Sequence, residues 1–281
     1  MRDPYLRRKT VDRFARAACL GAMLLALVPL CSVLGYVAWR GAGGLDWAFF
    51  TELPKPVGEV GGGMANACLG TLVLVGLACA VGIPVGVMSG IYLAEFGGTG
   101  RLARAVRFSA DVLSGVPSIT VGIFVYGLVV TTMHRFSALA GGLALGLIML
   151  PTVARTSEEL LRLVPDSLRE AALALGVPKW RMILSVVLRT AAPGVATGVM
   201  LAVARVAGET APLLFTALGS QYWSTRLDRP MASLPVQIYT YAVSPYEDWH
   251  QKAWAAALVL VALVLVMNLV AKGVIALRGA R

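Results

Sequence analysis

The sequence has 281 residues, of which 58% are hydrophobic and only 14% are charged, whereas an ordinary soluble domain carries about 25% charged residues. The charges are clumped, and the windows between them are long enough to cross a bilayer core of about 30 Å as helices. The net charge of +10 comes from basic residues in short segments between apolar runs, which topology explains better than nucleic-acid binding. Composition therefore excludes an ordinary soluble domain and predicts an all-α membrane protein.

Six uncharged or nearly uncharged stretches predict six transmembrane helices. The first, 17–39, follows a basic N-terminus (1–16) and is longer than the apolar part of a signal peptide, so we expect it to be retained. The remaining spans are predicted at about 68–93, 112–133, 136–154, 190–218 and 253–271. Together they define a transmembrane domain over 60–272, followed by a short tail (273–281).

The distribution of Lys and Arg predicts the orientation of these spans. With the N-terminus inside, the inner segments hold 18 of the 25 basic residues and the outer segments hold six. Cytoplasmic loops of membrane proteins carry an excess of Lys and Arg. Both termini are therefore predicted to be cytoplasmic, in the cytoplasmic (inner) membrane of a bacterium.

Residue types that carry catalysis or bind metals are scarce in this sequence. All four cysteines lie inside apolar runs without metal-ligand spacing, and there are only two histidines. An intramembrane enzyme is an alternative interpretation, but neither Gly-x-Ser-x-Gly nor His-Glu-x-x-His occurs. We therefore predict no metal site and no catalytic residue. Gly86, Gly90, Gly141, Gly142 and Gly146 are instead predicted to permit close helix packing.

A long inner segment, residues 155–189, is named here the elbow. Its apolar residues recur at helical spacing, with a short helix predicted over 157–163 and a second one started by the capping-box spacing of Ser167 and Glu170. Gly176 is well placed to stop that second helix, and Pro178 can open the next one. The sequence therefore predicts a helix–glycine–helix projection on the inner side.

The elbow resembles the EAA loop of binding-protein-dependent ABC importer permeases. Glu170, Ala171 and Ala172 are followed after three residues by Gly176, as in that pattern, and the later Ile-x-Leu-Pro becomes Val186-x-Leu188-Arg189. The resemblance implies that the elbow docks in a cleft of an ATP-binding subunit. The two small alanines would let a partner surface approach the helix closely. The alternative is an ordinary connector helix, because Glu-Ala-Ala is common in helices.

A charged pair interrupts the fifth predicted span. Arg205 and Glu209 are four residues apart, so we expect them to share one helix face and to pair. An arginine inside a span costs about 2.5–3.5 kcal/mol on insertion scales, so it is expected to face the bundle interior or a cavity. The planar guanidinium suits a phosphate-like oxyanion. The alternative is a structural ion pair that locks two helices without contacting any substrate.

The surroundings of this pair resemble the phosphate permease family called PstA. The likeness extends from about residue 60 to the C-terminus, and is most specific over 170–249. It is carried by Ala202–Thr216 (AVARVAGETAPLLFT), Phe215–Leu218, Tyr222–Thr225, Leu234–Val236, Ser244-Pro245, Trp249, Gly61–Gly63, Asn66 and Gly70-Thr71. The resemblance implies the MetI-like fold of type I importer permeases, with Arg205 and Glu209 on the translocation path of inorganic phosphate. Permeases for sulfate or molybdate remain an alternative, because each also needs a cation in the path.

The outer segment 220–252 is rich in aromatic residues: Tyr222, Trp223, Tyr239, Tyr241, Tyr246 and Trp249. One interpretation is an aromatic belt at the membrane interface. The other, implied by the resemblance, is a docking surface for an extracytoplasmic phosphate-binding protein similar to PstS. The sequence does not separate the two.

The resemblance also implies the other components of the machine. It implies a homologous permease similar to PstC and two ATP-binding subunits similar to PstB. A P-loop needs a lysine after a glycine, and none of the five lysines here follows one, so ATP and Mg are expected on those partner subunits. An added role in reporting phosphate status to a sensor kinase is a further alternative.

Overall fold

The computed structural model describes residues 4–56, 59 and 61–279, and within these ranges the regular structure is helical throughout. Residues 1–3 and 280–281 of the predicted tails, and Val60 at the start of the predicted transmembrane domain, lie outside the described residues. The helices are α1 Pro4–Ala42, α2 Trp47–Thr51, α3 Ala65–Glu95, α4 Arg101–Gly115, α5 Ser118–Val125, α6 Thr131–Met133, α7 Ala138–Arg162, α8 Asp166–Ala174, α9 Lys179–Met182, α10 Leu188–Ala207, α11 Ala211–Thr216, α12 Leu234–Ala242 and α13 Glu247–Gly279. The predicted fold class, an all-α membrane protein, is confirmed.

Five continuous helices in the described chain are long and apolar enough to cross a membrane: 8–42, 65–95, 138–162, 179–207 and 247–273. A bent pair, 101–115 with 118–133, supplies a sixth crossing if it is counted as one span. A π-helical turn, Tyr126–Val130, joins α5 to α6, and a second one, Ile183–Val187, joins α9 to α10.

The third predicted span, 112–133, is not one straight helix. The chain bends by 106° between α4 and α5. Val116 is extended (φ −73°, ψ 131°) because the ring of Pro117 disfavours helical geometry in the residue before it, and Pro117 itself lacks an N–H donor. Residues 112–115 therefore belong to a helix that runs in a different direction from the rest of the predicted span.

The fifth predicted span, 190–218, has both ends in the wrong place. The helix begins at Lys179, directly after Pro178, and ends at Ala207 because Gly208 caps it. A separate short helix, α11, follows with Pro212 in its first turn. Apolar composition continues across this break, which is why hydropathy predicts one span where the structure has two helices.

The helices of the elbow also differ from the prediction. Residues 157–162 are the last turns of α7 rather than a separate helix. The next helix, α8, begins at Asp166, with Pro165 at its N-cap and no side-chain capping hydrogen bond, so the predicted capping box is wrong. The stop at Gly176 and the new start after Pro178 are confirmed.

The centre of the molecule is a seam between α3 and α7, which run parallel to each other. A Cβ atom added to Gly86 would lie 2.7 Å from the Cβ of Val153, and one added to Gly90 would lie 2.5 Å from the Cβ of Ser157. Glycines at these positions let the two backbones approach within a distance that side chains would prevent. The predicted packing role of the glycines is confirmed, and Gly82 extends the same seam.

The outermost helix, α1, leaves most of its length exposed. Its contacts are near its end, where the ring of Tyr36 meets Trp254 of α13 at 5.1 Å and Gly41 lies against the Trp254 carbonyl. The helices α3, α7, α10 and α13 therefore form the body of the domain, and α1 lies at its edge.

Candidate functional site

Arg205 and Glu209 lie where α10 ends inside the bundle. Residues 208–210 are not helical, and they are named here the helix break. Arg205 is in the last turn of α10, where a cation is favourably placed relative to the helix dipole. Glu209 is in the break itself, so the two do not share a helix face as predicted.

The two side chains do approach each other, although loosely. Arg205 Nε lies 4.0 Å from Glu209 Oε1, the outer limit for an ion pair. The arginine side chain is 59% exposed and the glutamate side chain is 17% exposed. A pair at this separation with an exposed arginine is weak, so it leaves most of the guanidinium available to another partner.

Helix packing places Arg205 at the depth of the apolar layer. Gly198 of α10 lies against Thr156 of the antiparallel helix α7. Two turns further along both helices, Arg205 comes to the level of Met149. That level is about 9 Å along α7 from Arg155, the first charged residue of that helix, at 1.5 Å per residue. An arginine at this depth is unstable against lipid, so its exposed side faces water or another protein.

The helix break is held rigidly from the far side. Pro212 packs on α5 at Gly122, where an added Cβ would lie 2.6 Å from the Pro212 Cα atom. The Ser137 N–H donates to the carbonyl of Thr216 at 3.0 Å, which ties α11 to the start of α7. Because α11 is fixed in this way, the position of Glu209 is set by the core.

A buried amide ties the chain that follows α11 to the start of α3. The Asn66 Nδ2 donates to the Ser220 carbonyl at 2.7 Å, and the Leu234 N–H donates to the Thr71 hydroxyl at 2.8 Å. Asn66 and Thr71 therefore have a structural role at the start of α3. They hold both ends of the loop between α11 and α12 against α3.

The elbow contains the short helix α8, which ends at a glycine, Gly176. The Gly176 N–H donates to the Leu173 carbonyl at 2.9 Å, and the Val177 N–H donates to the Ala172 carbonyl at 3.2 Å, which is the Schellman arrangement. Gly176 has a φ of 77°, a conformation that favours glycine. The end of α8 therefore depends on the glycine at position 176.

The four predicted coupling residues divide between the surface and the core. Glu170, Ala171 and Gly176 are exposed, whereas Ala172 packs inward. Glu170 has no ionic partner among the described residues. Large apolar side chains lie exposed around them, namely Leu163, Leu168, Leu173, Leu175 and Trp180. An exposed apolar patch outside the membrane, next to an unpaired acid, is typical of a protein interface.

Sequence reasoning missed two residues that hold the elbow in place. Arg169, on α8, contacts Glu95 at the C-terminal end of α3, at 2.9 Å. Lys179 donates to the Glu95 carbonyl at 3.0 Å and lies over the Phe96 ring at 4.5 Å. The only available signal was an acidic residue at the end of one predicted span and a basic one in the elbow, which does not specify a pair.

The aromatic residues of the outer segment fall into two groups. Tyr241 is buried and stacks on Trp249 with ring centroids 4.3 Å apart, so these two serve packing. Tyr222, Trp223, Tyr239 and Tyr246 are exposed, and the ring of Tyr246 also meets that of Trp249 edge-on at 5.8 Å. Only the exposed group is available to a membrane interface or to a partner.

A charged turn lies in the same outer segment. Arg226 donates hydrogen bonds to both carboxylate oxygens of Asp228, at 3.0 and 3.1 Å, and these bonds lower the pKa of Asp228. The Arg135 guanidinium approaches Asp228 at 3.4 Å. The turn therefore keeps its ionic form at neutral pH.

Solved structures share this fold at low sequence identity. An inward-facing MetNI methionine ABC transporter has a chain that matches with a TM-score of 0.58 and 20% identity, covering 75% of this chain and 92% of that one. A bacterial ABC transporter involved in the import of the acidic polysaccharide alginate matches with a TM-score of 0.64 and 16% identity, covering 97% and 98%. The fold is therefore that of an ABC importer permease.

Relatives with higher sequence identity show which family of ABC importer permeases this chain belongs to. The family model for the binding-protein-dependent transport system inner membrane component matches residues 82–277. The phosphate transport system permease protein PstA of Yersinia pestis is 48% identical over 96% of this chain and 91% of its own length. The corresponding protein of Haemophilus influenzae is 43% identical over 93% of both. The chain therefore belongs to the binding-protein-dependent inner membrane component family and, within it, to the PstA phosphate transport system permeases.

Proposed function

We propose that this chain is the permease subunit of an ATP-driven importer, and that inorganic phosphate crosses the cytoplasmic membrane beside Arg205. The observation that carries the proposal is the state of that arginine. It lies at the depth of the apolar layer, more than half exposed, with one loose partner 4.0 Å away. A cation in this position is stable only if water, an anion or a neighbouring subunit faces it. Phosphate is the anion that fits best, because the relatives of this chain are phosphate transport system permeases.

Arg205 and Glu209 have complementary roles in this proposal. The guanidinium presents a planar set of donors to the oxygens of a passing phosphate and stays charged at every physiological pH. Glu209 holds the guanidinium when the path is empty and limits how tightly the anion binds. A conducting site has to release its substrate as well as bind it.

The elbow is proposed to receive the mechanical input. Its exposed face, built around Glu170, Ala171 and Gly176, is offered to an ATP-binding subunit that binds ATP and Mg. A second, PstC-like permease would complete the path, with two PstB-like ATPases below and a PstS-like binding protein outside. ATP-driven closure of the ATPases would then move the elbow and switch the spans between outward and inward openings. The excess of basic residues inside supports cytoplasmic termini.

Uptake in reconstituted vesicles tests the substrate. Complexes containing this chain, its partner permease, the ATPases and the binding protein are expected to accumulate labelled phosphate only when ATP is present. An excess of unlabelled phosphate is expected to abolish the signal, and sulfate or molybdate at the same concentration to leave it unchanged. If sulfate or molybdate suppresses uptake more strongly than phosphate does, the substrate is another oxyanion.

Substitution of the elbow glycine tests ATPase docking. Gly176→Asp forces a side chain into left-handed geometry and adds a negative charge at the C-terminal end of α8, where the helix dipole disfavours it. The cost of about 1–1.4 kcal/mol predicts a fivefold to tenfold loss of ATPase subunits that copurify with the permease. Gly98→Asp is the matched control, since Gly98 has a φ of 45° and open space but lies outside the elbow. Equal ATPase retention by the two variants would exclude the elbow as the docking site.

A further inference from the structure

Arg169 connects three elements at the inner face of the molecule. It lies on α8, and its guanidinium donates to the carbonyls of Leu161, in the last turn of α7, and of Val164, just after that helix. Its Nη2 also donates at 2.9 Å to Oε1 of Glu95, at the end of α3. One side chain therefore joins α8 to the inner ends of both helices of the central seam.

The burial of this contact distinguishes it from an ordinary surface ion pair. The side chain of Glu95 is 5% exposed and that of Arg169 is 15% exposed. A pair shielded from water is screened less than an exposed one, and loss of one partner leaves the other buried and unpaired. Asp166 also approaches Arg169, at 3.2 Å, but its side chain is 88% exposed. The buried and the exposed acids provide a comparison on the same arginine.

The other connection of the elbow is different in kind. The chain from α9 to α10 passes through the π-helical turn Ile183–Val187. Turns of this type are local departures from α-helical hydrogen bonding and often occur at functional positions. The elbow is therefore pinned to α3 and α7 by side chains, and joined to α10 through an irregular turn.

We propose that Arg169 is a positioning residue for ATP-driven transport, because its pair with Glu95 makes α8 and the inner ends of α3 and α7 one rigid body. A push on the exposed face of α8 then moves the α3–α7 seam instead of being absorbed by bending within the elbow. The proposal rests on the proposed function for its transport readout, and it adds the residues that transmit the movement. Arginine suits this position because its fork reaches carbonyls and a carboxylate at once, which the single ammonium group of lysine does not.

The test compares Glu95→Gln with Asp166→Asn in the complete reconstituted complex. Glu95→Gln keeps the shape of the side chain and removes only its charge. It is expected to lower the phosphate transported per ATP hydrolysed at least threefold, with ATPase activity within twofold of the unmodified complex and the ATPase subunits still bound. Asp166→Asn is expected to leave the ratio unchanged. Arg169→Lys is expected to behave like Glu95→Gln.

Hydrogen exchange of the elbow provides a readout that does not depend on the substrate. In Glu95→Gln, amides 168–177 are expected to exchange at least tenfold faster than in the unmodified complex, while those of the α3–α7 seam do not change. Unchanged exchange in the elbow, or uptake and ATP hydrolysis that fall in parallel, would overturn the proposal. If the unmodified complex transports no phosphate, the proposed function fails, and the exchange measurement still decides whether the pair fixes the elbow.

Discussion

Replacement of Arg205 by glutamine is expected to reduce phosphate uptake by the reconstituted importer at least tenfold, with the complex still assembled. The guanidinium supplies charge-assisted hydrogen bonds, each of which contributes about 1.5–3 kcal/mol, and about 1.4 kcal/mol corresponds to a factor of ten. Initial rates of labelled phosphate uptake, together with gel filtration of the complex, measure both quantities. Arg101→Gln is the control, because Arg101 is an exposed arginine at the start of α4. Normal uptake by the Arg205 variant would remove this residue from the path.

Variants of Arg205 and Glu209 distinguish a substrate contact from a purely structural ion pair. If the pair with Glu209 only locks the helix break, Glu209→Gln should impair assembly as much as Arg205→Gln, and the neutral double variant should recover it. If phosphate contacts Arg205, all three variants assemble, and the double variant remains as inactive as Arg205→Gln. The separation of 4.0 Å and the exposure of the arginine lead us to expect the second result.

Replacement of Gly86 by leucine is expected to have the largest effect on stability. The new side chain would start 2.7 Å from the Cβ of Val153 and 3.3 Å from the backbone nitrogen of Ala154. Overpacking of a close contact costs about 3 kcal/mol, and at this seam the obstacle includes the backbone of the neighbouring helix. The expected result is a lower midpoint of thermal unfolding in detergent and a loss of monodisperse protein.

A matched substitution on the same helix checks this explanation. Gly76, also on α3, has no heavy atom within 4 Å of an added Cβ atom. Gly76→Leu is expected to be neutral or slightly stabilising, because glycine costs about 1 kcal/mol more than a good helix former in a helix interior. Equal destabilisation by the two variants would mean that glycine flexibility, rather than close packing, is what α3 requires.

The helix break places Arg205 and Glu209 on two different segments of the chain. A continuous helix would carry the arginine and the glutamate on one face and hold them together. Because Gly208 ends α10, the glutamate follows the fixed segment that includes Pro212, while the arginine stays on the long helix that leads to the elbow. Movement of α10 relative to α11 would therefore change the separation of the two charges. This arrangement couples the inner end of the helix to the proposed phosphate contact.

Several features could be predicted from the sequence because their causes are local. The apolar candidate spans follow from the length of the uncharged stretches. The stop at Gly176 follows from the freedom of glycine to adopt a positive φ, which the structure shows at 77°. Several glycines of α3 and α7 indicate close packing because a residue without a side chain lets two helix backbones approach closely. The match of the elbow to a known pattern depends on spacing along the chain alone.

The tertiary structure decided what depends on partners far apart in the chain. Hydropathy does not detect the break at Gly208 or the bend at Pro117, because the residues on both sides are equally apolar. Arg169 and Glu95 are separated by 74 positions, so nothing in their spacing indicates a pair. The sorting of the outer aromatics into a buried stack and an exposed group likewise depends on which faces other helices cover. Local chemistry thus determines which segments form apolar helices, whereas packing determines where a helix breaks and which charges meet.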